Sequence, residues 1–169
     1  HSKIIDNTVV IPTTASRPIL LNTAISHVLK NTKLPKEILI IVDNNSQGFK
    51  AIKTRYEFYN FIKVIHNTKQ KGVSATRNYC INFVNTHFIS FLDDDDYWES
   101  TYLENIFNGK SFDVALVGFK KKKATGISHE KRPPVELNER LFLVKNPGIR
   151  GSNITISKQL FVQMHGFNE

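Results

Sequence analysis

Phe88-Ile89-Ser90-Phe91-Leu92-Asp93-Asp94-Asp95-Asp96-Tyr97-Trp98 decides the reading of the fold. An apolar run broken only by Ser90 ends in four consecutive carboxylates. Such a run reads as a buried central strand. Carboxylates at its C-terminal tip would lie in the crevice where open α/β sheets bind ligands. Four adjacent acids repel one another, which costs stability unless a cation compensates them. Hard divalent ions such as Mg2+ or Mn2+ take oxygen ligands and bridge to substrate phosphates. Two readings stand side by side: a metal–nucleotide diphosphate site, or a solvated acidic turn that caps the next helix.

Outward from this strand, the chain alternates strands and helices. Thr8-Val9-Val10-Ile11-Pro12 predicts a short buried strand stopped by proline. Thr13 to Arg17 is a turn, with Ser16 as helix cap and Pro18 in the first helical turn. Ile19, Leu20, Ala24, Ile25, Val28 and Leu29 recur at helical spacing and predict the face that packs on a sheet. Glu37 to Val42 predicts a second strand, with Asp43-Asn44-Asn45-Ser46 at its tip. A weaker helix follows over Lys50 to Tyr59, then a third strand over Phe61 to His66. Gly72 opens a helix carrying Val73, Thr76, Cys80, Ile81 and Val84. After the acid-tipped strand come a helix over Thr101 to Phe107 and a fifth strand over Asp113 to Phe119. This is the βαβ rhythm of a parallel sheet. Residues 120–138 are basic and irregular and read as a strand pair with a loop; Leu141 to Val144 is short and apolar. Asn146 to Asn153 is a glycine-bearing loop, followed by a strand over Asn153 to Ile156 and a helix over Lys158 to Met164.

The chain has 169 residues, enough for one domain with a real core. Hydrophobic content of 40% and charged content of 22% are ordinary for a globular protein. No apolar run approaches the length of a membrane span, and no signal peptide is visible. His1-Ser2, without an initiator Met, reads as a tag remnant or an internal start, which leaves N-terminal targeting unreadable. The lone cysteine, Cys80, excludes an internal disulfide framework, leans towards a reducing compartment and reads as a small buried apolar residue. A net charge of +8 and a pI near 9.6 suggest an anionic partner: nucleotide phosphates, an anionic membrane surface or nucleic acid. Lys120-Lys121-Lys122-Lys123 is the plainest basic cluster and reads as a solvated strand end. Nothing resembles a nucleic-acid module.

Three strand tips are polar: Thr13 to Arg17, Asp43 to Ser46 and Asp93 to Asp96. In a parallel sheet all three lie on one edge and can converge on one ligand. At this point the sequence resembles a family 2 glycosyltransferase of the GT-A fold, from Val9 to Glu169. The resemblance rests on Val9-Val10-Ile11-Pro12-Thr13, Ile41-Val42-Asp43-Asn44-Asn45-Ser46, Gly72-Val73-Ser74-Ala75-Thr76-Arg77-Asn78 and Phe91 to Trp98. A fifth signature is Gly151-Ser152-Asn153 followed by Gly166-Phe167-Asn168-Glu169.

The resemblance implies an α/β/α sandwich with a mainly parallel twisted sheet. It divides the chain into a donor-binding half, residues 1–119, and a partial acceptor-side half, residues 120–169. The implied activity is transfer of a sugar from a nucleotide sugar to an acceptor hydroxyl, inverting at the anomeric carbon. The acid segment resembles the family's Asp-x-Asp motif. Asp95 would be the principal ligand for Mg2+ or Mn2+, and Asp93 a nearby oxygen ligand. Thr13, Arg17, Asp43, Asn44, Gly72, Arg77 and Asp94 would form the donor-nucleotide site, with Thr13 at the base and Asp94 near the ribose. Gly151 and Ser152 would place backbone N–H groups near the donor sugar or diphosphate. Plainer readings remain beside these: Arg77 as a surface Arg, Asp43 as a helix N-cap, Gly151-Ser152 as an ordinary turn. His165 would touch acceptor or metal, or would cap a helix end.

Departures from the family pattern matter. Asn44 stands where a second Asp often reads uracil, and an amide both donates and accepts. A UDP-sugar is therefore favoured, with GDP- and dTDP-sugars open. Inverting transfer needs a base for the acceptor hydroxyl. The family places it beyond the position of Glu169, where the chain stops, so no catalytic base is assigned. The acceptor would be a carbohydrate or lipid-linked hydroxyl and the location cytoplasmic, with the inner face of the membrane and a solvated surface with no membrane role both open. Rival readings are a nucleotide-diphosphate-binding module without activity, or a nucleotidyltransferase. The latter expects a glycine-rich loop after strand one, which Thr13 to Arg17 lacks.

Overall fold

The computed structural model describes residues 3–69, 71–126, 128–133 and 149–168. The expectations for Leu141–Val144, Asn146–Gly148 and Glu169 lie outside the described residues. Strands β1 (Ile4–Thr13), β2 (Leu34–Asp43), β3 (Ile62–Asn67), β4 (Phe88–Phe91), β5 (Val114–Leu116) and β8 (Ile154–Ser157) form one sheet in the order β3-β2-β1-β4-β8-β5. The first four are parallel; β8 runs antiparallel to both β4 and β5. The sheet is thus mainly parallel, as expected. Strands β6 (Phe119–Lys122) and β7 (Ser128–Lys131) form a separate antiparallel hairpin.

Both faces of the sheet are covered, which is why β1 and β2 read as continuous apolar runs. On one face Val9, Ile11, Ile38, Ile40 and Val42 pack under α1 (Pro18–Leu29), α2 (Ser46–Tyr56) and α4 (Tyr102–Ile106). On the other, Val10, Leu39, Ile41, Ile89 and Phe91 meet Cys80 and Val84, which follow α3 (Val73–Tyr79), and Phe161 of α5 (Lys158–Gln163). Among the described residues no helix is long and apolar enough to cross a membrane.

Several local expectations are corrected. Pro12 does not stop β1, which runs on to Thr13. Leu92 N donates to the Val10 carbonyl, so Val10 faces β4; Pro12, two residues on, points the same way but past the end of β4 at Phe91. Its missing N–H costs no ladder bond there. Ser16 does not cap α1: Arg17 holds the N-cap position without a side-chain cap bond, and Ser16 Oγ lies 2.8 Å from Thr14 Oγ1. The buried face of α1 is Leu21, Ala24, Ile25 and Val28, one step round from the expected face. Ile19 and Leu20 lie in the first turn, beyond the reach of the sheet, and Ile19 is 78% exposed.

α3 ends at Tyr79, and Cys80–Asn82 tightens into a 3-10 turn, while Val73 is exposed. The fifth strand divides: β5 ends at Leu116 and β6 starts at Phe119. Gly118 lies between, where an added Cβ would sit 2.9 Å from the Lys131 carbonyl oxygen of β7. Asn153 belongs to a 3-10 turn, Gly151–Asn153, because its side chain is spent on the loop: Oδ1 accepts from Arg150 N and Nδ2 donates to the Val117 carbonyl.

Candidate active site

The tips of β1, β2 and β4 meet at one edge, around a cavity of about 290 Å3 lined by Thr13, Arg17, Asp43, Thr76, Asp93 and Asp95, among others. The acid loop leaves β4 in a tight turn, with Asp96 N donating to the Asp93 carbonyl at 3.1 Å. Its carboxylates go different ways. Asp94 is buried, with 3% of its side chain exposed. Thr13 Oγ1 donates to its Oδ2 at 2.5 Å, and Arg17 Nη2 to its Oδ1 at 2.5 Å. Arg17 Nη1 reaches Asp95 Oδ2 at 2.5 Å, but there both partners are nearly half exposed. Asp93 pairs with Nη2 of Arg77. Burial pushes the Asp96 carboxyl above its usual range, assisted by the charges of Asp93 and Asp95 and opposed by Ser152 and Arg150.

The repulsion among the acids is therefore offset by two guanidinium groups of the chain itself. The acidic-cap reading fails on geometry: Asp94 is buried in a side-chain network, and Thr101 holds the N-cap position of α4. Arg77 is no surface residue of an amphipathic helix. It is 8% exposed, packs 5.5 Å from the Phe167 ring centroid, and keeps a buried Nε with no hydrogen-bond partner among the described residues.

Asp43 is not the cap of α2; Asn45 is, accepting from Gly48 N at 2.8 Å. Asp43 Oδ2 instead accepts from Gly72 N at 3.0 Å, and Oδ1 accepts from Asn44 Nδ2 at 3.1 Å. Asp43 thus ties the β2 tip to the start of α3. Gly72 turns there at φ +108, a conformation that disfavours any side chain. Asn44 adopts φ +48, which Asn tolerates better than most residues. It does not line the cavity as Asp43 does.

Gly151 and Ser152 reach the acid loop from the far end of the chain. Ser152 Oγ accepts from Asp93 N at 2.9 Å, and its carbonyl accepts from Trp98 Nε1 at 3.0 Å. A Cβ on Gly151 would fall 1.8 Å from Arg77 Nη2 and 3.0 Å from Asp93 Oδ1. The segment is therefore more than an ordinary turn: it buttresses the acids. His165 holds the helix-end role. At φ +58 it follows the C-cap Met164 of α5, with its N donating to the Val162 carbonyl and Gly166 N to the Phe161 carbonyl.

Sequence reading missed the supports. Thr76 and Val73 line the cavity. Asn78 clamps the Phe167 backbone through bonds of 2.8 and 2.7 Å. Trp98 and Asn78 both sat inside quoted signatures, yet neither spacing nor charge marked them. Among the described residues no group of three His, Cys, Asp or Glu side chains forms a ready metal cage. The donor set still fits a hard cation: Asp93 and Asp95 supply carboxylate oxygens at the cavity, and Mg2+-like ions complete their shell with water and phosphate.

An open, mainly parallel sheet with acids at its C-terminal edge is the GT-A glycosyltransferase architecture, and solved structures match it. Staphylococcus aureus TarS 1–349, solved with UDP-GlcNAc, superposes with a TM-score of 0.69 at 20% identity, over 95% of this chain and 47% of that one. The mannosyltransferase PcManGT from Pyrobaculum calidifontis, solved with GDP-Man and Mn2+, gives 0.69 at 13% identity, over 96% and 47%. The sequence profile of glycosyl transferase family 2 matches residues 8–160, and the chain belongs to that family.

Escherichia coli UDP-Glc:alpha-D-GlcNAc-diphosphoundecaprenol beta-1,3-glucosyltransferase WfgD is 34% identical over 88 residues, 50% of this chain and 33% of that protein. Cholesterol galactosyltransferase of Borreliella burgdorferi is 33% identical over 89 residues, 52% and 25%. The matches to these two relatives span a third or less of their length.

Proposed function

We propose that the chain is the donor-binding part of a metal-dependent enzyme that transfers a sugar from a nucleotide sugar to an acceptor hydroxyl, with inversion. The observation that carries this reading is the split of the acid loop. All three of Asp93, Asp94 and Asp95 line a cavity of about 290 Å3 with Thr13, Asp43 and Thr76, but Asp94 is locked by Thr13 and Arg17 with 3% of its side chain exposed, while Asp93 and Asp95 stay more open. Asp95 is the principal metal ligand and Asp93 the second. A bound Mg2+ or Mn2+ would supply charge neutralisation for the diphosphate leaving group. Thr13, Asp43 and Gly72 surround the nucleoside, and Arg77 and Arg17 reach towards the diphosphate, a role suited to a planar fork of donors. Asp94 acts through Arg17 and Thr13, holding both in place.

UDP is the favoured nucleotide. The relative from E. coli is named for UDP-Glc and TarS was solved with UDP-GlcNAc, whereas PcManGT was solved with GDP-Man. Residues 1–119 form the donor half and residues 120–169 begin the acceptor side, in keeping with the acids and the three strand tips all lying before residue 97. A carbohydrate or lipid-linked acceptor is supported by the diphosphoundecaprenol-linked sugar in the E. coli relative's name. Calorimetric titration with UDP, GDP and dTDP, each with and without Mn2+, tests the reading. Metal-dependent binding of UDP that disappears in Asp95→Ala is expected. A folded chain that binds none of the three would overturn it.

A further inference from the structure

The run Lys120 to Lys123 is left unused by the donor site, and the structure gives it two unlike faces. Strand residues alternate, and cross-strand partners share a face. Lys120 and Lys122 lie on one: Lys120 Nζ pairs with Glu99 at 2.9 Å, Lys122 Nζ sits 5.8 Å from the Tyr97 ring centroid, and Glu130 lies opposite Lys120. That face is neutralised and packed against the segment following the acids. The other carries Phe119 and Lys121, with His129 opposite Lys121 and Lys131 opposite Phe119. Arg150 stacks on Phe119, its Cζ 4.3 Å from the ring centroid, and its charge is felt at Asp96. Lys121, Lys123, His129 and Arg150 are all exposed. Lys123 extends the cationic row into the hairpin turn. No carboxylate is seated on this second face among the described residues of the hairpin.

We propose that this face of the β6–β7 hairpin, Lys121, Lys123 and His129 with Arg150 at its root, docks on the phosphate headgroups of an anionic bilayer. Juxtaposed ammonium and guanidinium groups suit phosphate oxygens. With Glu130 on the opposite face, Lys121, Lys123 and His129 have no carboxylate beside them among the described residues of the hairpin. Because Arg150 joins the hairpin to the acid loop, docking would bring headgroups beside the edge where transfer is proposed. That consequence rests on the donor-site reading; the docking itself does not.

The test is sedimentation with phosphatidylcholine vesicles containing 0 or about 30% phosphatidylglycerol, without nucleotide or metal, at low and high salt. The wild-type chain is expected to bind only the anionic vesicles and to release in high salt. Lys121→Gln/Lys123→Gln should weaken binding on the order of tenfold, at about 1 kcal/mol per lysine at most. Lys30→Gln/Lys36→Gln, two exposed lysines away from the hairpin that remove the same charge, should retain it. Equal losses in the two variants would assign binding to net charge alone and overturn the proposal. So would absence of binding to anionic vesicles, or binding that survives in the hairpin variant. A chain that binds UDP with Mn2+ but no vesicles overturns the docking and leaves the donor site standing.

Discussion

Gly151→Ala is the sharpest probe of how the acids are held. Gly151 is not at positive φ, so an Ala there would ordinarily be neutral or stabilise by about 0.4–1 kcal/mol through the unfolded chain. The structure reverses that sign. The new methyl would lie 1.8 Å from Arg77 Nη2 and 2.5 Å from its Cζ, whereas heavy atoms pack at about 3.5–4 Å. The guanidinium would have to retreat by roughly 1.5–2 Å. A retreat of that size would strain or break its pair with Asp93. Breaking a buried pair by removing one partner costs about 3–5 kcal/mol, but Asp93 keeps 30% of its side chain in solvent and moderates the loss. Together with overpacking, a destabilisation of about 3 kcal/mol is expected. For a domain of this size that lowers Tm by about 6–12 °C.

The assay is urea unfolding followed by circular dichroism, in a cycle with Arg77→Ala. Once the guanidinium is gone, Gly151→Ala should cost less than about 1 kcal/mol, leaving a coupling of about 2 kcal/mol. Equal costs in the two backgrounds would refute the reasoning, as would a Gly151→Ala variant as stable as the wild type.

Other perturbations follow from the same geometry. Arg17→Gln removes the guanidinium competing for Asp95, so Mn2+ alone should bind about fivefold tighter, while UDP with Mn2+ binds more weakly; titration that finds unchanged Mn2+ affinity counts against Asp95 as the principal ligand. Gly72→Ala forces a side chain into φ +108 and should destabilise by about 1–2 kcal/mol, read by thermal melting; an unchanged Tm would mean the loop relaxes freely. Burial pushes the Cys80 thiol up to about 12, so it stays neutral and unreactive in the native chain. Thiol-reactive dye at pH 8 should label it only in denaturant. Because the folded chain holds this proton more tightly than the unfolded one, stability should fall as pH rises above the ordinary thiol range.

Apolar runs long enough to be buried on both faces made β1, β2 and β4 readable, because no amphipathic alternation competed with them. The acid edge was readable for a similar reason: four adjacent carboxylates have no comfortable place in a core. What stayed hidden depends on partners far away in sequence. Arg77 has the local surroundings of any helical Arg; its burial comes from Phe167 and Gly151. Ile19 and Leu29 fit a helical stripe as well as Leu21 does, and only the angle at which α1 meets the sheet separates them. Pro12 looked like a terminator because the sequence does not say that β4 ends two residues short of it.

The late arrival of β8 has a consequence for how the site is built. Among the described strands β8 is the last in sequence; it inserts between β4 and β5, which precede it, and the turn that leads into it brings Ser152 to Asp93 across 59 residues. The four parallel strands can pair as soon as residue 91 has emerged, although β1 and β4 themselves meet across a wide stretch of chain. Arg17 and Arg77 can pair with the acids at that stage, but Asp93 N gains its bond to Ser152 only when the Gly151–Asn153 turn docks. On a growing chain the acid loop would therefore reach its supported form later than the four parallel strands, and intermediates in which those strands are paired would still lack the Ser152 bond to Asp93.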